Sequence, residues 1–320
     1  MKPWLPAFVL MTVPVLGAMA TVGFRPPDGK QRQSAIGPVS GLPATMQRAL
    51  DPAVGFAPIP APKSNDWLAN HPEDGQTFGQ FAASRPNLPK DQRKKIYLLP
   101  LGGFSTGRSP LLETLREYAA LYFGLETKLL PAVPIGREIA TSRINPFTKN
   151  RQLLTSDILR WLVKILPDDA FCLLALTMDD LYPDPAWNFV FGQATFEKRV
   201  GVYSLARYDP AFYGQKRDRD TDRLILLRSL RILVHETGHM FGIHHCIHFH
   251  CLMNGCNHLD ESDAAPIHLC PVCLRKLQWS VGFDVLQREQ KLLTFYEKVG
   301  FKDEAAWTAQ RVKWIAAPSR

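Results

Sequence analysis

Three histidines and a glutamate stand in a pattern that suits metal-assisted hydrolysis. The sequence HETGH places His235 and His239 four residues apart, with Glu236 between them. On a helix this spacing puts both imidazoles on one face, where they can share a metal ion. Glu236 lies one position round the helix, where it can reach a metal-bound water and act as a general base. The pattern predicts a catalytic metal site.

A third ligand is predicted just after this helix. Gly242 lets the chain leave the helix in a left-handed conformation, which swings His245 back towards the first two histidines. Three neutral imidazoles would leave Zn²⁺ its full charge and one position open for water. Adjacent side chains point in different directions, so only one of His244 and His245 can face the metal. Surface or supporting roles are expected for the remaining histidines of this stretch: His248, His250, His258 and His268.

Four of the six cysteines crowd into the same region, at Cys246, Cys251, Cys270 and Cys273. C-x4-C followed by C-x-x-C is typical of a structural zinc held by four thiolates. Such a zinc would also fix the backbone beside His245. Two disulfides are the alternative if the domain is exported. Cys256 is expected to be a spare thiol and Cys172, inside an apolar run, a buried core thiol.

The composition indicates a globular chain with a sizeable core. It has 320 residues, 46% of them hydrophobic, and a net charge of +8. Such a charge would suit nucleic acid, but Lys and Arg are spread over the whole length instead of forming a stripe, so no nucleic-acid partner is expected. The clustering of the cysteines indicates metal binding more than a disulfide scaffold.

The N-terminal residues 1–24 are typical of a signal peptide. Lys2 precedes a long uncharged run that ends in Ala18-Met19-Ala20, a small-residue cleavage pattern. An uncleaved membrane anchor is the alternative, and the basic residues that follow would then favour a cytoplasmic location for the rest of the chain. The expected location is therefore exported or membrane-anchored, with the cytoplasm left open.

Residues 25–90 and 91–320 differ in character. The first segment is rich in Pro, Gly, Ala, Ser and Gln and shows no sustained periodicity, which predicts a linker that leans on the main domain and has no fold of its own. Apolar runs then alternate with helical patterns. Strands are predicted at 94–101, 126–133, 171–177, 188–196 and 199–208, with 171–177 at the centre of the sheet. Helices are predicted at about 110–123, within the segment 150–170, where Pro167 ends the helix, and at about 221–241, with two more after 283.

This alternation predicts an α/β or α+β fold in which helices pack on a twisted mixed sheet. The helix over 221–241 carries the two histidines of HETGH. Because that helix is strongly apolar, it should run through the core, and its ligands should emerge at the floor of a cleft.

The stretch HETGHMFGIHHC, followed by Cys251, Met253, Cys270 and Cys273, resembles the archaemetzincins, a metzincin-clan family of zinc metallopeptidases. The resemblance implies a zincin-like fold with a small zinc-stabilised C-terminal subdomain. It also implies that His235, His239 and His245 bind catalytic zinc, that Glu236 is the base, and that Met253 forms a turn beneath the metal. The four cysteines would hold a second, structural zinc.

The activity implied is hydrolysis of a peptide bond in a peptide or protein substrate by a monomeric enzyme. By analogy with the clan, residues 188–194 would form the edge strand along which an extended substrate lies, with an ordinary internal strand as the alternative. A catalytically silent zinc protein whose cleft binds a protein partner is the rival function. The presence of Glu236 beside the metal favours the enzyme, since a pure binding site needs no base.

Overall fold

The apolar run over 171–177 lies at the centre of the main sheet, as the sequence predicts. The computed structural model describes residues 24–105 and 107–318. Its eight strands are β1 (Lys95–Leu101), β2 (Thr127–Leu129), β3 (Ser142–Ile144), β4 (Arg151–Leu154), β5 (Ala170–Thr177), β6 (Asp180–Tyr182), β7 (Gly192–Thr195) and β8 (Val200–Ser204).

Five of these strands form one sheet in the order β2-β1-β5-β8-β7. β1 pairs in parallel with β2 and β5, and β5 pairs in parallel with β8. β7 closes one edge in the antiparallel direction. Every residue of β5 is buried, because parallel sheets of this kind are covered on both faces. The thiol of Cys172 is fully buried in this strand, as expected.

Three short strands form a second sheet in the order β3-β4-β6, which the sequence does not predict. β3 and β4 pair in antiparallel fashion, and β4 pairs with β6 in parallel. Strands of three or four residues contain too few alternations to stand out from a loop.

The helices are α1 (Gly29–Ile36), α2 (Ala44–Ala49), α3 (Trp67–Asn70), α4 (Phe78–Ala83), α5 (Leu112–Phe123), α6 (Thr155–Ile165), α7 (Thr221–Met240), α8 (Leu259–Ala264), α9 (Pro271–Val281), α10 (Val285–Val299) and α11 (Lys302–Ala316). α5 ends where predicted, at Gly124 with φ +65°. The long helix α7 and the two C-terminal helices α10 and α11 are also confirmed. The prediction of a mixed α/β fold with helices packed on a twisted sheet is therefore confirmed.

Helix α7 lies in the core. Leu230, Leu233 and Val234 are almost completely buried in the same cluster as α5 and β5. The Cys-rich stretch after α7 joins that cluster too, through residues such as Phe249 and Leu269. The second half of the chain thus shares one core with the sheet.

The segment 25–90 leans on the main domain, as predicted, but it has regular structure where the sequence predicts a linker. It forms α1 to α4, and Ile36 and Phe81 are fully buried in the main core. Capping boxes start two of these helices, with Asp28 at the N-cap of α1 and Thr77 at the N-cap of α4. The segment has no separate core because its helices are too short, and it gains stability by packing on the domain.

The C-terminal helix α11 is tied to this same segment. Arg311 donates hydrogen bonds to the carbonyls of Val54 and Ala49, both at 2.7 Å. The predicted signal or anchor falls on residues 1–23, which lie outside the described residues. Within residues 24–105 and 107–318, no helix combines the length and hydropathy needed to span a bilayer.

Candidate zinc sites

Helix α7 and the turn after it bring three histidines to one point. His235 and His239 lie one turn apart, and their Nε2 atoms are 3.0 Å apart. α7 ends at Met240, and Gly242 follows with φ +81°, a conformation that disfavours other residues. The chain then returns so that one ring nitrogen from each of His235, His239 and His245 lies within 4.8 Å of the others. The neighbouring His244 is exposed.

Each of these histidines is held through its Nδ1 atom. His235 Nδ1 lies 3.0 Å from the carbonyl of Leu252, and His239 Nδ1 lies 2.7 Å from the carbonyl of Ile243. His245 Nδ1 lies 2.8 Å from Oε1 of Glu73. An acceptor at Nδ1 keeps the proton there and leaves the Nε2 lone pair available to a metal.

Burial keeps His235 and His239 in the neutral form that a metal requires. Desolvation lowers the pKa of His235 to about 4 and that of His239 well below its ordinary value. Zinc bound by imidazole at about 2.0–2.1 Å needs nitrogens roughly 3.3 Å apart. The donor set and its spacing therefore fit zinc.

Glu236 lies beside the first ligand and is 5% exposed. Among the described residues its Oε2 atom has no hydrogen-bond partner. Burial raises the pKa of Glu236 to about 8. A nearby dication would oppose that shift, since it favours the charged carboxylate. The carboxylate is thus free to exchange a proton with a molecule in the cleft.

Met253 lies directly under the helix that carries the ligands. A Cβ atom at Gly238 would stand 2.7 Å from Met253 Sδ, so the glycine inside HETGH makes room for this side chain. Met253 is fully buried, and its carbonyl accepts a hydrogen bond of 2.7 Å from the amide of Cys246. The sequence indicates Met253 but gives no reason for Gly238.

The four clustered cysteines also converge. One sulfur from each of Cys246, Cys251, Cys270 and Cys273 lies within 4.8 Å of the other three. All six cysteines of the chain are free thiols in the structure. The amides of Cys270 and Met253 donate to Cys251 Sγ at 3.2 and 3.5 Å. Cys270 is the N-cap of α9, where the helix dipole stabilises thiolates. This arrangement fits a tetrahedral metal better than two disulfides.

Asn254, which the sequence does not single out, holds the loop between the cysteines. Its Oδ1 atom accepts from the amide of Cys251 at 2.8 Å. Its Nδ2 donates to the carbonyls of Cys246 and Phe249 at 2.6 and 2.9 Å. Asn254 is followed by Gly255, and this Asn-Gly pair is a turn signal that could have found it.

The remaining polar side chains of the stretch have structural partners. The ring of His268 stacks on Trp307 with centroids 3.6 Å apart. His258 caps α8, and its Nε2 atom lies 3.2 Å from Asp66. Asp66, His258 and Glu261 bring ligand-type atoms together, but Glu261 already accepts from the amide of Trp67 at 3.0 Å. This third cluster therefore fastens segment 25–90 to the domain.

A cleft opens beside the histidines. His235 and His245 lie on its wall, together with Tyr208, Leu252 and Trp67. Trp67 comes from the segment predicted to be a linker. The fold places a three-histidine site and a neighbouring carboxylate beside an open cleft. This combination defines the class of zinc-dependent hydrolases to which many peptidases belong.

Comparison with known proteins gives the family. Residues 127–279 match the model of peptidase family M54. The chain is 38% identical over 286 residues to archaemetzincin-2 of Macaca fascicularis, covering 81% of this chain and 79% of that protein. It is 34% identical over 261 residues to human archaemetzincin-1, covering 73% and 52%. The chain belongs to the archaemetzincin family and is a zinc metallopeptidase.

Among solved structures, the crystal structure of archaemetzincin from Methanopyrus kandleri is 28% identical. The similarity covers 61% of this chain and 99% of that chain, with a TM-score of 0.47.

Proposed function

We propose that His235, His239 and His245 bind the catalytic zinc and that Glu236 is the general base of peptide-bond hydrolysis. The observation that carries the proposal is the shared geometry of the histidines. Each ring has its Nδ1 atom held by an acceptor and offers Nε2 to one point beside the cleft. Glu236 stands next to that point with a carboxylate oxygen free of other partners among the described residues.

Zinc bound at this point would supply a Lewis acid that lowers the pKa of water and polarises the substrate carbonyl. Glu236 accepts the proton of the attacking water and delivers it to the leaving amine. Its burial keeps bulk water from competing for the carboxylate. Met253 supports the helix from below, so the two ligands on α7 keep their spacing during turnover.

We propose a structural role for a second zinc at Cys246, Cys251, Cys270 and Cys273. Four thiolates complete a tetrahedral shell and leave no position for water. Cys246 follows His245 directly, and its amide is bonded to the carbonyl of Met253. The cysteine site thereby supports the third catalytic ligand and the methionine from the backbone.

The substrate is a peptide or protein, and we propose that it lies along β7. This strand is at the edge of the main sheet and bonds to β8 on one side. The amide of Val190, just before it, already donates to Leu181 at 2.9 Å. The proposed segment 188–194 is therefore partly covered, and the free edge for an extended peptide begins at Gly192.

We further propose that the chain is exported or anchored in a membrane, and the uncharged N-terminal run supports this location. A separate proposal is that the enzyme is a monomer. Fractionation of cells that express the full chain, with N-terminal sequencing of the product, tests the location. A full-length product in the cytoplasm would contradict it.

Metal analysis and digestion of a peptide library test the catalytic proposal together. The purified full chain should contain two zinc ions and cleave the library, whereas Glu236→Gln should retain both ions and cleave it roughly 10²- to 10⁴-fold more slowly. If both proteins bind zinc and leave the library intact, the catalytic role is wrong and a zinc protein that binds a partner is supported instead.

A further inference from the structure

We infer that Glu73 is a positioning residue for the catalytic zinc, acting through His245. The inference rests on the proposed function of the three histidines. Glu73 comes from segment 25–90, whereas the three histidines and Glu236 come from α7 and the chain after it. The active site of this enzyme is therefore completed by a part of the chain that shares no sequence motif with it.

The contact is direct and specific. Glu73 Oε1 lies 2.8 Å from His245 Nδ1 and also accepts from the indole Nε1 of Trp67 at 2.9 Å. The side chain of Glu73 is 19% exposed and that of His245 is 8% exposed. A charge-assisted hydrogen bond at such low exposure is stronger than one in water.

The three histidines differ in what holds them. His235 and His239 use neutral backbone carbonyls from the same stretch of chain. His245 alone among the three uses a carboxylate, from a residue 172 positions away. A carboxylate behind a ligating imidazole fixes its ring, sets its tautomer and makes the ligand more basic. His245 needs this most, because it lies after the end of α7 and no helix holds its backbone.

The chain on the N-terminal side of Glu73 is fixed. Trp67 donates its amide to Glu261, and its ring meets that of His245 edge-on with centroids 5.2 Å apart. A Cβ at Gly255 would stand 2.4 Å from Trp67 Cδ1, so the indole is tightly enclosed. Trp67 therefore holds Glu73 and His245 in one unit.

The chain on the C-terminal side is fixed as well. A Cβ at Gly75 would lie 2.5 Å from Ile247 Cγ1. Gln76 donates to the carbonyl of Gly242 at 3.2 Å, and Lys276 donates to the carbonyl of Gln76 at 2.6 Å. The loop that carries Glu73 is thus fixed on both sides, and on its C-terminal side Gln76 bonds it to Gly242, in the turn that leads to His245.

The test is the zinc affinity of the full chain, measured by competition with a chelator. Glu73→Ala should lower the affinity for one of the two zinc ions by roughly ten- to a hundredfold. Glu73→Gln keeps an acceptor oxygen and loses the charge, so a smaller loss is expected. Asp74→Asn is the matched control, since it removes an exposed carboxylate from the next position. The second zinc should be unaffected in all three variants.

A structural role for Glu73 gives a different result. In that case the melting temperature of the metal-free protein would fall, while the zinc affinity of the folded variant would match that of Asp74→Asn. This outcome for Glu73→Gln, which is nearly isosteric and should fold, would overturn the inference. His245→Ala separates it from the proposed function: if this variant still binds two zinc ions, the histidine site itself is wrong.

Discussion

The cysteine cluster and the histidine cluster lie in one stretch of chain, but the residues that support them come from different parts of the sequence. All four sulfurs come from residues 246–273, and amides of that same stretch donate to Cys251. The histidine cluster takes its three histidines from α7 and the turn after it, and Glu73 reaches it from 172 residues away. In a closed site, four protein ligands fill the whole coordination shell of the metal. An open site leaves one position for water, so its three ligands must be held by surrounding groups.

The largest effect is expected for Glu236→Gln, which should lower kcat at the histidine site and leave the cysteine site unchanged. Removing the base should reduce kcat by roughly 10²- to 10⁴-fold, the usual contribution of general base catalysis. Steady-state hydrolysis of a cleaved library peptide gives kcat, and metal analysis gives the zinc content, which should stay at the wild-type level. Glu297→Gln, an exposed change on α10, is the control. Full activity of Glu236→Gln would show that another group is the base.

Cys270→Ser tests the closed site. Loss of a metal ligand is among the most damaging single changes and is expected to cost on the order of 4 kcal/mol. The melting temperature should fall by on the order of 10 °C, since each kcal/mol shifts it by about 2–4 °C in a domain of this size. Cys256→Ser should change neither the melting temperature nor the zinc content to a comparable extent. If Cys270→Ser kept its full zinc content and stability, the four cysteines would not form a structural zinc site.

Gly238→Ala tests the packing of Met253 against α7, between the two sites. Ala usually stabilises a helix relative to Gly by about 1 kcal/mol. Here the added Cβ would stand 2.7 Å from Met253 Sδ, so a loss of about 1–3 kcal/mol is expected from overpacking. Gly79→Ala in α4 is the matched control, because its Cβ would meet only the Thr77 hydroxyl at 3.9 Å. Urea unfolding of both variants gives the two free energies, and equal values would contradict the packing of Met253 under α7.

Gly242→Ala is expected to have the smallest effect on stability. It is compared with Gly282→Ala, which should cause the same backbone strain away from the histidine cluster. Gly242 and Gly282 both have φ +81°, so Ala at either position should cost about 1–2 kcal/mol in backbone strain. The turn at Gly242 sets the position of His245, whereas Gly282 ends α9. We therefore expect weaker binding of the histidine-site zinc in Gly242→Ala and unchanged zinc binding in Gly282→Ala, by chelator competition. Equal zinc affinities would mean that the turn does not set the position of His245.

Local patterns explain which parts of the molecule could be predicted. The helix of HETGH, the turn at Gly242 and the burial of residues 171–177 each depend on neighbours within a few positions, where residue spacing and backbone preference decide the geometry. The second sheet and the role of segment 25–90 do not. Their strands and helices are short, and they form because they pack on distant parts of the chain.

The sequence by itself determined the set of candidate ligands. His235, His239 and His245 and the four cysteines lie within a range of 39 residues, from 235 to 273, and their converging side chains follow from one helix, one glycine turn and one helix N-terminus. Only the tertiary structure decided what holds those ligands. Glu73 and Trp67 meet His245 because helices α1 to α4 bury apolar residues such as Phe81 in the main core. Burial of apolar surface is non-directional, so no spacing in the sequence records the partner that it brings to the site.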